Sequence, residues 1–190
     1  MKSRVFLVIS IFFVSFCAVG QADSLDSKPS YFLSIYSGGL LGKKGKGSAM
    51  TVSLIQGVRH KRFAFGAGIG YDAYTEWRTF PIFGSVAFDL SKGRNRWFIQ
   101  FNAGYSKAWN PTRPEAALRY DDKGGSIFHP LLGYRIQNGN MVLYLTAGYR
   151  FQRLTSEWTE RFWGWGNSPN KFTERRDIER LSVQIGFGLR

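Results

Sequence analysis

From Tyr31 onward the dominant pattern is alternation, with apolar side chains on every second residue of successive segments. Trp97, Ile99, Phe101, Ala103, Tyr105 and Trp109 lie on one face of an extended segment, and Phe98, Gln100, Asn102, Gly104, Ser106 and Ala108 on the other. The split recurs in Met141–Gln152, where Met141, Leu143, Leu145, Ala147, Tyr149 and Phe151 oppose Val142, Tyr144, Thr146, Gly148, Arg150 and Gln152. It recurs again in Leu181–Leu189. A period of two is the geometry of a strand, whose successive side chains point to opposite faces. One face is greasy; the other reads as small or polar. Weaker versions run through Tyr31–Gly38, Ala49–Arg59, Phe63–Tyr74, Thr79–Leu90 and Ser126–Gln137. Together these make about eight strands, most of them near the 9 to 11 residues that a tilted strand needs to cross a bilayer. A helical span needs about 20 consecutive apolar residues, and no run past the first two dozen positions approaches that in a chain of mean hydropathy −0.22.

The connections also alternate. Arg59–Arg62, Ser91–Asn95 and Asn138–Asn140 are short and polar, the last containing an Asn-Gly hairpin signal. The links Gly39–Ser48, Asn110–Gly124 and Ser156–Arg175 are longer, with a brief one near Trp77. Short turns on one side and long loops on the other suit an all-β, closed, antiparallel up-and-down barrel, and an even strand number leaves no edge unpaired. Pro81 and Pro130 each remove a ladder donor, which predicts bulges or strand ends there.

The first residues read as an export leader. Lys2 and Arg4 precede the apolar stretch Val5–Val19, and small residues follow. Residues 1–22 are therefore assigned as a signal peptide, cut after Gly20 or Ala22, and 23–190 as the barrel domain. Cys17 is the only cysteine, so the mature chain has neither a disulfide framework nor a thiolate metal site. With 26 basic and 13 acidic residues the net charge is +13; loss of Lys2 and Arg4 lowers it by two. The basic residues sit at intervals between strands, at Lys43, Lys44 and Lys46, at Arg59, Lys61 and Arg62, at Lys92, Arg94 and Arg96, and at Lys171, Arg175 and Arg176. They are not gathered on one element, as nucleic-acid binding would favour. That spacing suits rims that meet phosphate-bearing headgroups.

A soluble lipocalin-like calyx also has about eight alternating strands, but its bulky row points inward and its outer row is charged. Here Gly66, Gly68 and Gly70 share one strand's second row and Gly186 and Gly188 another's, where a wet surface would carry Lys and Glu. Gly-Tyr recurs at Gly70-Tyr71, Gly104-Tyr105, Gly133-Tyr134 and Gly148-Tyr149. An inward glycine makes room in a narrow lumen, and an outward tyrosine suits the membrane interface. With its leader, strand count, Gly-Tyr strands and apolar last strand, the chain resembles the small bacterial outer-membrane barrels of the OmpX and OmpA-transmembrane type. The resemblance implies an outer-membrane location, lipid and lipopolysaccharide as surroundings, and passage through the outer-membrane assembly machinery. Such barrels commonly end in an aromatic residue; this chain ends Phe187-Gly188-Leu189-Arg190.

Catalytic and metal motifs are not found. The lipid A deacylase type has a serine two residues after its histidine, whereas His129 is followed there by Leu131, and His60 lies in a basic turn. Asp121-Asp122 has no ligand-spaced companions. The expectation is a non-enzymatic envelope barrel without a cofactor, with a lipid-modifying enzyme and a secreted carrier as alternatives. Its lumen should be filled by a polar network of Asp72, Glu76, Asp89, Arg135, Arg150 and Arg180, together with Gln100, Asn102, Tyr144 and Gln184. Arg135, Arg150 and Arg180 should find partners among Asp72, Glu76, Asp89 and nearby amides, because an unpaired charge in so confined a space is costly. The long loop carries Trp158, Phe162, Trp163 and Trp165 among cations, which suits either a surface ligand or an extension of the aromatic girdle.

Overall fold

The computed structural model describes residues 29–42, 47–111, 118–160 and 171–189; the leader expected over 1–22 lies outside them. Eight strands follow in order: β1 Ser30–Gly42, β2 Ala49–His60, β3 Phe63–Ala73, β4 Arg78–Asp89, β5 Arg96–Trp109, β6 Leu118–Asn138, β7 Met141–Glu160 and β8 Lys171–Leu189. Each pairs antiparallel with the next, and β8 returns to β1 along a seam from Leu33↔Leu189 to Gly42↔Arg180, closing the barrel.

The alternation read from the sequence sorts the walls. Ile35, Met50, Ile69, Ile82, Phe101, Leu132, Leu145 and Val183 are exposed on the outside, while Ser34, Thr51, Ser85, Asn102, Thr146 and Gln184 are buried inside. An outer wall this apolar is a surface for hydrocarbon. The bulky row faces out, which removes the lipocalin-like calyx. Aromatic rings gather at both margins of the belt. Phe80 stacks on Trp109 with centroids 5.4 Å apart beside Tyr71 at one end, and Trp97 meets Tyr134 at 5.0 Å at the other.

Three expectations are corrected. First, the loops are shorter than predicted, because β6, β7 and β8 run on past the belt: Asp122 pairs with Ser156 and Trp158 with Phe172, in stretches predicted as loop. Second, the prolines do not bulge or end their strands. Pro81 stands opposite Ser106 and Pro130 opposite Phe101 in unbroken register. On its other side each proline interrupts the ladder for a short stretch without shifting it. The register shift falls at Asp122/Gly124, where Gly124 takes φ +75°, a left-handed backbone that glycine adopts without strain. Third, the inward row is not uniformly small or polar. Tyr36, Ile55, Phe83, Phe98, Val142 and Tyr144 form an apolar cluster in the lumen toward the short turns, and Leu40, Ala49, Tyr74, Trp77, Ala108 and Leu154 a second toward the long hairpins.

The inward glycines explain how such rings fit. A Cβ on Gly133 would stand 2.3 Å from Phe98 Cζ, one on Gly68 2.5 Å from Phe83, and one on Gly186 2.5 Å from Tyr36. Glycine is the seat and the ring on a neighbouring strand is the occupant. Gly133→Val should therefore lower stability by about 1–3 kcal/mol, the usual range for overpacking, in urea unfolding from micelles. Adding Phe98→Leu should return most of that loss. A double variant no better than the single would show that the ring is not what the glycine accommodates.

Candidate functional site

The lumen is built in layers, each set by the parity of its strands. Nearest the short turns, Asp89 at the end of β4 is 2% exposed and is shared by three guanidinium groups. Arg135 donates to it at 2.9 Å, Arg59 at 3.1 and 3.2 Å, and Arg96 at 3.2 Å. These come from β6, β2 and β5, so one carboxylate ties together strands from around the wall. The Arg59 guanidinium also lies 5.8 Å from the Phe32 ring centroid. Above this layer comes the first apolar cluster. The space between Phe32, Tyr36, Ile55, Arg59, Phe98 and Tyr144 amounts to about 10 Å³, about one water's worth of probe volume.

At mid-height the buried amides Gln100 and Asn102 bond each other at 2.9 Å. His129, the cross-strand partner of Asn102, is 2% exposed. Next comes Asp72 on β3, fully buried. It accepts from Arg150 Nη1 at 2.6 Å, from Thr51 Oγ1 at 2.7 Å and from Thr79 Oγ1 at 3.0 Å. Arg150 belongs to β7, so this pair crosses the lumen. One turn higher the Tyr74 hydroxyl donates to Gln152 Oε1 at 2.7 Å, and Gln152 Nε2 donates to Ser106 Oγ at 2.8 Å. Charge-assisted bonds in a site closed to water are stronger than their exposed counterparts, and equally expensive to leave half made.

Four of the six residues expected in the network are brought together in two groups, Asp72 with Arg150 and Asp89 with Arg135. Two are not. Glu76 is a rim residue, its side chain 64% exposed and 3.3 Å from Arg176, because the β3–β4 link carries it out of the lumen. Arg180 is inward and buried, but it has no carboxylate partner among the described residues. Its Nη1 donates to the Glu179 carbonyl at 3.0 Å and its Nε has no acceptor. The sequence places Arg59 and Arg96 among the cations between strands, at rims that meet phosphate-bearing headgroups; the structure turns both inward to Asp89. Parity carried the missed signal: Arg59 continues the inward row of Thr51, Ser53 and Ile55, and Arg96 that of Phe98 and Gln100.

At the long-hairpin end a cleft of about 440 Å³ opens between Tyr74, Glu76, Trp77, Arg176, Ile178 and Arg180. Beside it the β7–β8 extension is held by Arg153 and Asp177, which bond at 2.8 and 3.1 Å. The guanidinium holds the Asp177 carboxyl below the usual carboxylate range. In the aromatic loop, Trp158 sits on the β7 extension opposite Phe172; Phe162, Trp163 and Trp165 lie outside the described residues.

The Asp72–Arg150 bond makes a direct claim on stability. Arg150→Ala leaves a buried carboxylate without its cation and should cost about 3–5 kcal/mol, whereas Asp72→Leu with Arg150→Met should recover most of it, since a buried pair is often replaceable by apolar residues. Urea midpoints in micelles read both. Strictly additive losses would show that the two side chains are not coupled.

No family model and no curated protein sequence matches the chain. Among solved structures it is similar to Neisserial surface protein A (NspA), with a TM-score of 0.58 and 12% identity over 85% of this chain and 98% of that one. It is also similar to the outer membrane protein OprG from Pseudomonas aeruginosa, with a TM-score of 0.53 and 10% identity over 84% of this chain and 95% of that one. At such identity the likeness is one of fold, and the fold is that of the small outer-membrane β-barrels.

Proposed function

We propose that the chain is a non-enzymatic integral protein of a bacterial outer membrane, a plugged barrel that serves as an envelope component and displays its long hairpins at the cell surface. The filled lumen carries this reading. Two carboxylate-centred groups and two apolar clusters occupy the barrel from one end to the other, which suits a structural element better than a conduit. The short turns would face the periplasm and the extended β6, β7 and β8 the outside, following the usual sidedness of such barrels. Phospholipid and lipopolysaccharide would solvate the belt. Lys61, Arg62, Lys92 and Arg94 at one rim, and Arg175 and Arg176 at the other, would meet their phosphates.

The runner-up is an enzyme of outer-leaflet lipids. Against it, the His129 imidazole is enclosed inside the wall, where an acyl ester outside cannot reach it. Among the described residues no group of three or more His, Cys, Asp or Glu side chains could hold a metal. The sequence segment with Trp158, Phe162, Trp163 and Trp165 is the proposed element for a surface ligand.

Planar-bilayer recording tests the plug: the purified protein should show no large steady conductance, and a stable porin-like current would overturn the filled-lumen reading. In a deletion strain, mass spectrometry of envelope lipids should show no acyl group gained or lost; a specific change would revive the enzyme. Replacing Trp163 and Trp165 by Ala should preserve insertion while removing binding on a panel of glycans and matrix proteins. Unchanged binding would return those rings to the girdle.

A further inference from the structure

The lumen does not balance its charges at the long-hairpin end. Arg150 and Arg180 are direct cross-strand partners on β7 and β8, both inward and both buried. Like charges placed directly opposite repel, and the two share the neighbourhood of a single buried carboxylate, Asp72. Asp72 is committed to Arg150 at 2.6 Å. The acids that line the cleft with Arg180 are committed too, Glu76 to Arg176 at 3.3 Å and Asp177 to Arg153 at 2.8 Å. Arg180 is thus a cation only 9% exposed, with an Nε that donates to nothing and no carboxylate partner among the described residues. It lines the open cleft of about 440 Å³, with Tyr74, Trp77 and Ile178 as apolar walls.

We propose that this cleft is an oxyanion-binding site in which Arg180 receives a carboxylate or phosphate through its guanidinium. A planar fork whose Nε–H has no acceptor is suited to recognition of such groups. An anion there would complete the charge balance of the Arg150–Arg180 pair. Tyr74, Trp77 and Ile178 would take up an apolar part of the same molecule, so the site fits a small amphipathic anion better than a bare inorganic ion. Access favours a soluble source. Arg180 faces the lumen mouth, away from the apolar outer wall that meets lipid tails.

The test uses the full-length folded protein in micelles, with inorganic phosphate and phenyl phosphate as probes and chloride at matched ionic strength as the control. Each probe should saturably shift the Arg180 Nε–H resonance and raise the melting temperature, because a ligand that binds only the folded state stabilises it by mass action. Phenyl phosphate should bind more tightly. Arg180→Gln should weaken both responses at least tenfold, and without ligand it should melt no lower than the parent, since it removes an uncompensated cation. A second arm compares nanodiscs of phosphatidylcholine with nanodiscs containing lipid A. A shift of the Arg180 resonance with lipid A alone would support the same site with a headgroup as its source. The proposal is overturned if the parent shows no saturable response to any of the probes, or if Arg180→Gln responds as the parent does.

Discussion

A backbone in hydrocarbon has no water to bond to, so each N–H and C=O within the belt must find its partner on another strand. Closure follows: β8 has to meet β1, and it does so over the ten residue pairs from Leu33↔Leu189 to Gly42↔Arg180. Closing a sheet at eight strands leaves a lumen only wide enough for side chains. That single constraint sets the rest of the interior problem. Alternate residues of every strand must be packed into a narrow column, and whatever polarity they carry must be satisfied there.

The lumen meets most of this demand in layers, leaving the Nε atoms of Arg135, Arg150 and Arg180 without an acceptor. Charged groups are placed where strands from several sides can reach one acid, as Arg59, Arg96 and Arg135 reach Asp89. Rings fill the space between charged layers, seated on glycines of neighbouring strands. The layering separates the Asp89 and Asp72 groups by an apolar cluster and, above it, by the bonded amides Gln100 and Asn102. Arginine suits this architecture because its long stem crosses the lumen while its fork keeps directional bonds at the far side. Arg150 on β7 thereby braces β2, β3 and β4 through Thr51, Asp72 and Thr79.

Above the belt the physics changes. The β6–β7–β8 extension stands in water, where ion pairs such as Lys123–Glu157 at 2.7 Å and Arg153–Asp177 at 2.8 Å are exposed and contribute little individually. Backbone pairing is then the main source of order, and the bulge at Asp122/Gly124 marks where that hairpin departs from the regular wall. Function in such barrels is more readily varied here than in the belt, because the lipid and the packed lumen tolerate few changes.

Alternation by itself determined that the chain is made of two-faced strands, and the glycines of the second row which face points inward, since the period of a strand is a local property written residue by residue. Gly68, Gly133 and Gly186 were legible as inward glycines for the same reason. Which ring each one seats was not, because Phe83, Phe98 and Tyr36 arrive from other strands through register. The same limit governed the charges. Asp72, Asp89, Arg135 and Arg150 could be named from parity, yet only the closed sheet decided that Arg59 and Arg96 join Asp89, and that Glu76 swings out to Arg176. It also decided that Arg180, set directly across from Arg150, is left with a cleft in front of it instead of an acid. Pairing across a lumen depends on shear and strand height, which are properties of the whole closed sheet and have no local signature in the sequence.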